Sequence, residues 1–290
     1  MSLDIFYGET LGLVGESGCG KTTLGKIMVR LVKPTSGQVI FDGIDVHKAG
    51  SLTEKNLHQR MQMTFQDPYA SLNPRMTVGE IIGEAIDVQG QVKQGSRRKR
   101  VNDLMQTVGL NPNLSSRLPH EFSGGQRQRI AIARVLAVEP DFVACDEPLT
   151  ALDASIQAQL VNLLDDLQKQ KNLTYLFISH DLSMVRHICN RVAVMYLGQV
   201  VELSNKNDLF EHPLHPYTQA LLSAIPLPDP DLEKTRRRII LPGEASRNTF
   251  KPSSGCGFGS RCPKAETRCH QTAPVLSEKG CGHWAACHRS

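Results

Sequence analysis

Gly15-Glu16-Ser17-Gly18-Cys19-Gly20-Lys21-Thr22 reads G-x-x-x-x-G-K-T, continues into Thr23, and follows the short apolar run Leu11-Gly12-Leu13-Val14. A strand feeding such a loop, with a helix after it, is the setting of a phosphate-binding loop. The glycines let backbone N–H groups turn inward around an anion, where a Cβ would obstruct. Lys21 offers a point charge to the outer phosphates, and the Thr22 hydroxyl suits Mg²⁺. The helix that begins here aims its positive dipole end at the same anion. A plain glycine-rich turn between strand and helix would not need a lysine and a threonine at these two places.

Two further segments carry chemistry. Phe142-Val143-Ala144-Cys145 is an apolar strand that ends in Asp146 and Glu147. Asp146 suits a Mg²⁺ site, and Glu147 can polarise an attacking water. An Asp-Glu pair at a strand end is a weak signal alone and a strong one downstream of a phosphate loop. Phe122-Ser123-Gly124-Gly125-Gln126 opens the helical run Ile130-Ala131-Ile132-Ala133-Arg134 with no strand in front of it. It is a second anion-binding helix start. One nucleotide in one chain has no use for both, whereas two chains facing head to tail would use one from each.

The elements that must position these residues are legible from apolar patterning. Strands are expected at Gln38–Phe41 and Ile44–Val46 with Asp42-Gly43 as their turn, at Met61–Phe65, Phe142–Cys145 and Thr174–Ile178, and as a pair around Leu197-Gly198 within Arg191–Leu203. A helix is expected from Ser155 to Lys171, and a helical, polar stretch from Ser71 to Leu136. Strands alternating with helices predict a mostly parallel sheet in an α/β domain. Composition shifts to Pro, His, Gly and Cys near Asn207, which predicts a boundary there.

The chain has 290 residues and a net charge of +4, too small to argue for nucleic acid. Its dense basic run, Arg97-Arg98-Lys99-Arg100, opens a helical pattern through Val101, Leu104, Met105 and Val108, which predicts a solvated helix face. No apolar run approaches the roughly 18 residues of a membrane span, and no signal peptide is visible. A cytosolic setting is expected. Of eight cysteines, Cys256, Cys262, Cys269, Cys281 and Cys287 crowd the last 35 residues. In a cytosolic chain such crowding argues for metal rather than disulfides. The spacing lacks paired C-x-x-C knuckles, yet four thiolates can ligate Zn²⁺ or an iron–sulfur cluster. His270, His283 and His288 leave a mixed zinc site open.

Taken together, these motifs resemble the ATPase subunit of an ABC transporter. Ser123-Gly124-Gly125-Gln126 is similar to the family's signature, with Phe122 where Leu is usual. Gln66 in Thr64-Phe65-Gln66-Asp67-Pro68 matches the Q-loop glutamine, Ala151-Leu152-Asp153 the D-loop, and His180 in Ile178-Ser179-His180-Asp181 the switch histidine. The resemblance implies a P-loop NTPase of the ABC nucleotide-binding-domain type over residues 1–208, with a helical subdomain over about 68–135 and an extension over 209–290. It implies ATP and Mg²⁺, with Thr22, Gln66 and Asp146 at the metal. Glu147 is then the base, His180 the γ-phosphate contact, and Ser123, Gly125 and Asp153 members of a shared interface.

Tyr69-Ala70-Ser71-Leu72-Asn73-Pro74-Arg75, Ser155-Ile156-Gln157-Ala158-Gln159 and His212-Pro213-Leu214-His215-Pro216-Tyr217-Thr218 resemble the oligopeptide/dipeptide/nickel import branch. Pro226-Leu227-Pro228-Asp229-Pro230-Asp231 and the cysteines resemble its oligopeptide F-type subunit. This implies a second ATPase subunit, two transmembrane permease subunits and an extracytoplasmic solute-binding protein. It places the chain at the cytoplasmic face of the membrane, without nucleic acid. It favours a [4Fe–4S] centre on Cys256, Cys262, Cys269 and Cys287 over Zn²⁺, leaving Cys281 as a spectator, in a tail separate from the ATPase core. The family's strands ahead of the phosphate loop, one with an adenine-stacking aromatic, have no counterpart before Phe6 and Tyr7, which implies a truncated start. The rival readings are nickel or another small solute as cargo, a soluble ABC ATPase acting on DNA or ribosomes, and a module that binds ATP without turnover. The chain shows neither the coiled-coil arms nor the tandem cassettes usual in soluble ABC ATPases. Glu147 and His180 argue against a module without turnover.

Overall fold

The computed structural model describes residues 1–89, 94–150, 152–226, 238–243 and 255–290. By its contacts the chain divides into two compact units, one of residues 1–5, 9–21 and 177–290, the other of residues 6–8 and 22–176. In chain order the elements begin β1 (Thr10–Val14), α1 (Lys21–Met28), β2 (Ile40–Phe41), β3 (Ile44–Asp45), α2 (Ser51–Arg60), β4 (Met61–Thr64), α3 (Pro68–Ser71), α4 (Val78–Gln89) and α5 (Gln94–Thr107). They continue α6 (Gly124–Leu136), β5 (Phe142–Asp146), α7 (Ala154–Lys171), β6 (Thr174–Ile178), α8 (Leu182–Ile188), β7 (Arg191–Tyr196) and β8 (Gln199–Asn205). Last come α9 (Lys206–Glu211), α10 (Pro216–Ser223), α11 (Thr267–Gln271), β9 (Ser277–Gly280) and β10 (His283–Ala285).

In the first unit β1 pairs in parallel with β7, Leu13 opposite Ala193. Every residue of β1 is buried, as its unbroken apolar run requires of a strand covered on both faces. Beyond β7 the sheet turns antiparallel, with β8 on β7 and β10 between β8 and β9. The mostly parallel sheet expected from the sequence therefore holds beside the phosphate loop and fails at this edge. The reason is local: the two-residue turn at Leu197 (φ 44°) and Gly198 (φ 85°) can join only antiparallel neighbours. Because β9 and β10 add to β8, part of the cysteine-bearing tail shares a unit with residues ahead of Asn207.

In the second unit β4 and β5 run in parallel, Thr64 opposite Cys145. The helices around them bury apolar stripes, including Ile130 and Ala133 of α6 and Leu160, Val161, Leu164 and Leu167 of α7. The α7 stripe has the spacing of one helical face. Asp153 starts α7 by accepting the Ile156 N–H at 3.0 Å, and Asn172 ends it in the left-handed conformation (φ 51°). The Asp42-Gly43 hairpin forms as expected. So does the solvated face of α5, where Val101, Leu104, Met105 and Val108 are buried while Arg97 and Arg100 pair outward with Asp87 and Glu139 at 2.8 and 2.9 Å.

Candidate functional site

The phosphate loop leaves the end of β1. Gly15 has φ 153°, and a Cβ there would lie 2.1 Å from the Met195 carbonyl oxygen, so no side chain fits. Lys21 is buried, and its Nζ donates to the carbonyls of Gly15 at 2.8 Å and Glu16 at 3.0 Å. An ammonium folded onto the rim of its own loop is in place to turn toward an anion inside it. The Glu16 backbone N–H donates to the Tyr217 hydroxyl at 2.8 Å, and the Glu16 carboxylate takes both arms of Arg261 at 2.8 and 3.1 Å. Ser17 and Gly18 are exposed, whereas Cys19 is buried, and burial pushes its thiol up. Ser179 donates its N–H to the Leu13 carbonyl at 3.2 Å. The exposed His180 next to it therefore leaves the sheet beside the strand that feeds the loop.

The second unit brings several acidic and polar side chains together. Thr22 Oγ1 donates to Asp146 Oδ1 at 2.9 Å, with Asp146 buried at the end of β5. A hydroxyl and a carboxylate meeting in this way form a hard oxygen pair of the kind Mg²⁺ selects. Glu147 follows in the left-handed conformation (φ 44°), at a cost of about 1 kcal/mol or more for a residue with a Cβ. That turn aims its carboxylate sideways, where Oε2 accepts from Gln66 Nε2 at 3.0 Å and Thr150 Oγ1 at 3.2 Å. Gln66 presents its amide nitrogen, not its carbonyl oxygen, to Glu147. Register explains the meeting, since Thr64 lies opposite Cys145 and the chain beyond each strand emerges at the same edge.

Ser123 and Gln126 form a capping box on α6: Ser123 Oγ accepts the Gln126 N–H at 3.3 Å, and Gln126 Oε1 accepts the Ser123 N–H at 3.0 Å. Ser123 and Gly124 are exposed, while Gly125 is buried so close to α7 that a Cβ would lie 2.4 Å from Ile156 Cγ2. Asp153 is exposed at the start of α7, where the Ile156 N–H and the Ser155 hydroxyl hold its carboxyl below the usual range. Thr23 is exposed on α1. Ala151 and residues 227–231 of the Pro226–Asp231 motif lie outside the described residues.

The cysteines form no ready metal site. Among the described residues no group of three or more His, Cys, Asp or Glu side chains is placed to hold a metal ion. Cys256, Cys262, Cys269 and Cys287 do line one small cavity of about 20 Å³, whereas Cys281 is exposed. Burial pushes the Cys256 and Cys262 thiols up, and the nearby cysteines add to the rise. His283 is committed elsewhere, to Glu202 at 2.7 Å. His270 does not line the cavity; His288 does, but its Nε2 is engaged with the Thr272 carbonyl at 2.9 Å.

Sequence reasoning missed Thr150, Tyr217 as a partner of the phosphate loop, and Arg261. Thr150 stood near a motif, and Tyr217 stood within the His212–Thr218 motif, which by itself points to no phosphate loop. Arg261 carries no signal of spacing, since an arginine between two cysteines points to no loop more than two hundred residues upstream.

Against known proteins, residues 1–150 match the family described as ABC transporter, and residues 201–269 that described as oligopeptide/dipeptide transporter, C-terminal region. The oligopeptide transport ATP-binding protein AppF of Bacillus subtilis (strain 168) is 50% identical over 289 residues, covering 99% of this chain and 88% of that one. OppF of the same organism, also an oligopeptide transport ATP-binding protein, is 60% identical over 242 residues, covering 82% and 79%. The dimeric ATP-binding cassette MJ0796 bound to ADP and Pi is similar in structure, with a TM-score of 0.64 at 29% identity over 70% of this chain and 88% of that one.

Proposed function

The chain belongs to the ABC transporter family, and on that premise we propose that it is the ATP-binding and ATP-hydrolysing subunit that powers peptide import. Its fold is that of the family's P-loop ATPases, with a mixed sheet and flanking helices. Support for peptide as cargo comes from the names of the relatives and from the C-terminal region that matches oligopeptide and dipeptide transporters. That region also weighs against a soluble ATPase uncoupled from transport. Residues 1–208 act as the ATPase cassette, with a helical subdomain over about 68–135, and residues 209–290 as an extension specific to this branch.

Each residue then has a defined task. Within the loop from Gly15 to Gly20, backbone N–H groups other than that of Glu16, which Tyr217 takes, serve the phosphates, and Lys21 neutralises the outer ones. When bound, Mg²⁺ supplies Lewis-acid compensation of phosphate charge. Thr22, Asp146 and Gln66 would hold it, as hard oxygen donors do. Glu147 takes the proton of the attacking water while Gln66 and Thr150 keep its carboxylate turned. His180 donates to the γ-phosphate. Ser123, Gly124, Gly125, Gln126 and Asp153 close the nucleotide site of a second ATPase subunit, because a single chain with one phosphate loop has no other use for a second exposed, glycine-led helix start. The pair works peripherally on two permease subunits at the cytoplasmic face of the membrane, supplied by an extracytoplasmic solute-binding protein. No described helix is long and apolar enough to cross a membrane.

The observation that carries this reading is Glu147, held by two side chains directly beside the Thr22–Asp146 pair. In liposomes holding the full transporter, Glu147→Gln should lower ATP turnover by about 10²–10⁴, with affinity for MgATP kept and peptide uptake lost. Turnover near the unmodified rate would remove Glu147 from its role. Hydrolysis without uptake of any labelled di- to hexapeptide would overturn peptide as the cargo.

A sulfur-ligated centre on Cys256, Cys262, Cys269 and Cys287 is the further reading of the extension. Its support is that these four, and not Cys281, share one cavity. Four soft thiolates suit a [4Fe–4S] group as they suit Zn²⁺, and the resemblance to the oligopeptide F-type subunit favours the cluster. Anaerobic purification with iron and sulfide analysis tests it, and stoichiometric zinc without iron would decide for a single-ion site.

A further inference from the structure

We propose that Arg261 and Tyr217 form a clamp through which the cysteine-bearing turn sets the affinity of the phosphate loop for nucleoside triphosphate; this rests on the reading of Gly15–Thr22 as an ATP cradle. Glu16 poses the problem that the clamp solves. It places a carboxylate inside a loop built to hold a polyanion, and it is the one acidic residue between Gly15 and Thr23. Left to itself, that carboxylate would repel phosphate and attract Lys21, whose Nζ already lies 3.0 Å from the carbonyl of the same residue. An ion pair within the loop would use up the charge the phosphates require.

Glu16 is instead held from outside. Its carboxylate makes a two-pronged pair with Arg261, and its backbone N–H is taken by the Tyr217 hydroxyl. The guanidinium is itself fixed: it donates to the Pro242 carbonyl at 3.0 Å, the Gly243 carbonyl at 3.1 Å and the Tyr196 hydroxyl at 3.4 Å, and only 10% of its side chain is exposed. Such an arrangement needs no further ordering to neutralise Glu16, and a planar fork matches a carboxylate better than a lysine would.

The clamp is mounted on the cysteine-bearing turn. Cys256, Phe258, Gly259, Arg261 and Cys262 belong to one tight reversal, with the Gly259 N–H on the Cys256 carbonyl at 2.9 Å and the Arg261 N–H on the Phe258 carbonyl at 3.0 Å. Phe258 is fully buried against Tyr196 and Tyr217, with ring centroids 5.2 and 5.4 Å away. Any event that reshapes this turn moves Arg261 relative to Glu16. An ion pair spanning 245 residues of sequence ties this turn to the phosphate loop within one unit.

The test measures affinities of the full chain for MgATP, MgADP and adenosine at low salt. Arg261→Ala should weaken MgATP about tenfold, the size of one unpaired charge near the phosphates at intermediate dielectric. It should weaken MgADP less and leave adenosine unchanged. Glu16→Gln should bind MgATP as well as the unmodified chain or better, and Glu16→Gln combined with Arg261→Ala should restore the lost affinity. Should Arg261→Ala not fold, Arg261→Lys gives the same comparison with a smaller loss. A purely structural prop predicts otherwise: breaking the pair from either side would cost the same, and the double variant would not recover. That result, or an unchanged affinity in both Arg261 variants, overturns the clamp. If the unmodified chain binds no MgATP and Lys21→Ala changes nothing, the cradle reading fails, and the clamp with it.

Discussion

The phosphate loop and the signature start of α6 are both glycine-led helix N-termini, yet they are finished in opposite ways. At the first, a buried lysine rests on loop carbonyls, while Arg261 holds the Glu16 carboxylate and Tyr217 accepts the Glu16 backbone N–H. At the second, Ser123 and Gln126 cap one another with no help from elsewhere, and the surface around them is exposed. The first is built to receive an anion within its own chain. The second is a self-sufficient end with an exposed surface. Two glycine-led helix starts are therefore finished differently, and the surroundings decide how.

The sharpest way to break this comparison is to damage each start and measure the same two quantities. Lys21→Ala removes the buried cation and should lower the affinity of the isolated chain for MgATP about a hundredfold or more. Ser123→Arg should leave that affinity within about twofold, because the hydroxyl serves its own helix end. It should still block hydrolysis in the assembled transporter, by about tenfold or more, since a long cation would fill the position of the partner's nucleotide. Equal loss of binding in both variants, measured by titration of the monomer, would erase the distinction.

Gly125→Ala sharpens the comparison on the structural side. A Cβ 2.4 Å from Ile156 Cγ2 forces α6 away from α7 or Ile156 out of its rotamer, for about 1–3 kcal/mol. Gly124, whose Cβ would come no nearer than 3.2 Å to the end of the Leu152 side chain, should accept alanine at about half that cost or less. Urea midpoints of the two variants read the difference directly.

The smallest expected effect is one of pH, and it falls on the phosphate loop's side alone. His215 caps α10, its Nδ1 accepting the Tyr217 N–H at 3.1 Å, and burial pushes it down to about 4 from the usual 6.5. A base depressed in the folded state contributes stability that is full above about pH 6.5 and is lost as the pH falls toward about 4. At about pH 6 the loss is about 1 kcal/mol. Because the same helix carries Tyr217, support of the loop should weaken over this window. His215→Asn keeps a capping oxygen without a titrating ring and should flatten the dependence, as followed by denaturant midpoints across the window.

Much of the site was legible because its chemistry is local. Strand β6 and helix α7 were readable from apolar spacing, Asp146 and Glu147 from their place after a strand, and Gln66 only through the family resemblance. Their meeting follows from the register of two parallel neighbours. The antiparallel edge was legible only at its Leu197-Gly198 turn. Nothing in Ser277–Ala285, with every residue of β9 exposed, announces a hairpin that joins β8.

By itself the sequence determined the phosphate loop, the acidic strand end and the capped signature helix. Each is specified by neighbours within a few positions, where backbone geometry leaves little choice. Only the tertiary structure decided that Glu147 is turned sideways between Gln66 and Thr150, and that Arg261 neutralises Glu16. The physical reason is that a charge seeks its partner through space. A carboxylate in an anion-binding loop needs a cation, and no local pattern says which distant residue will supply it.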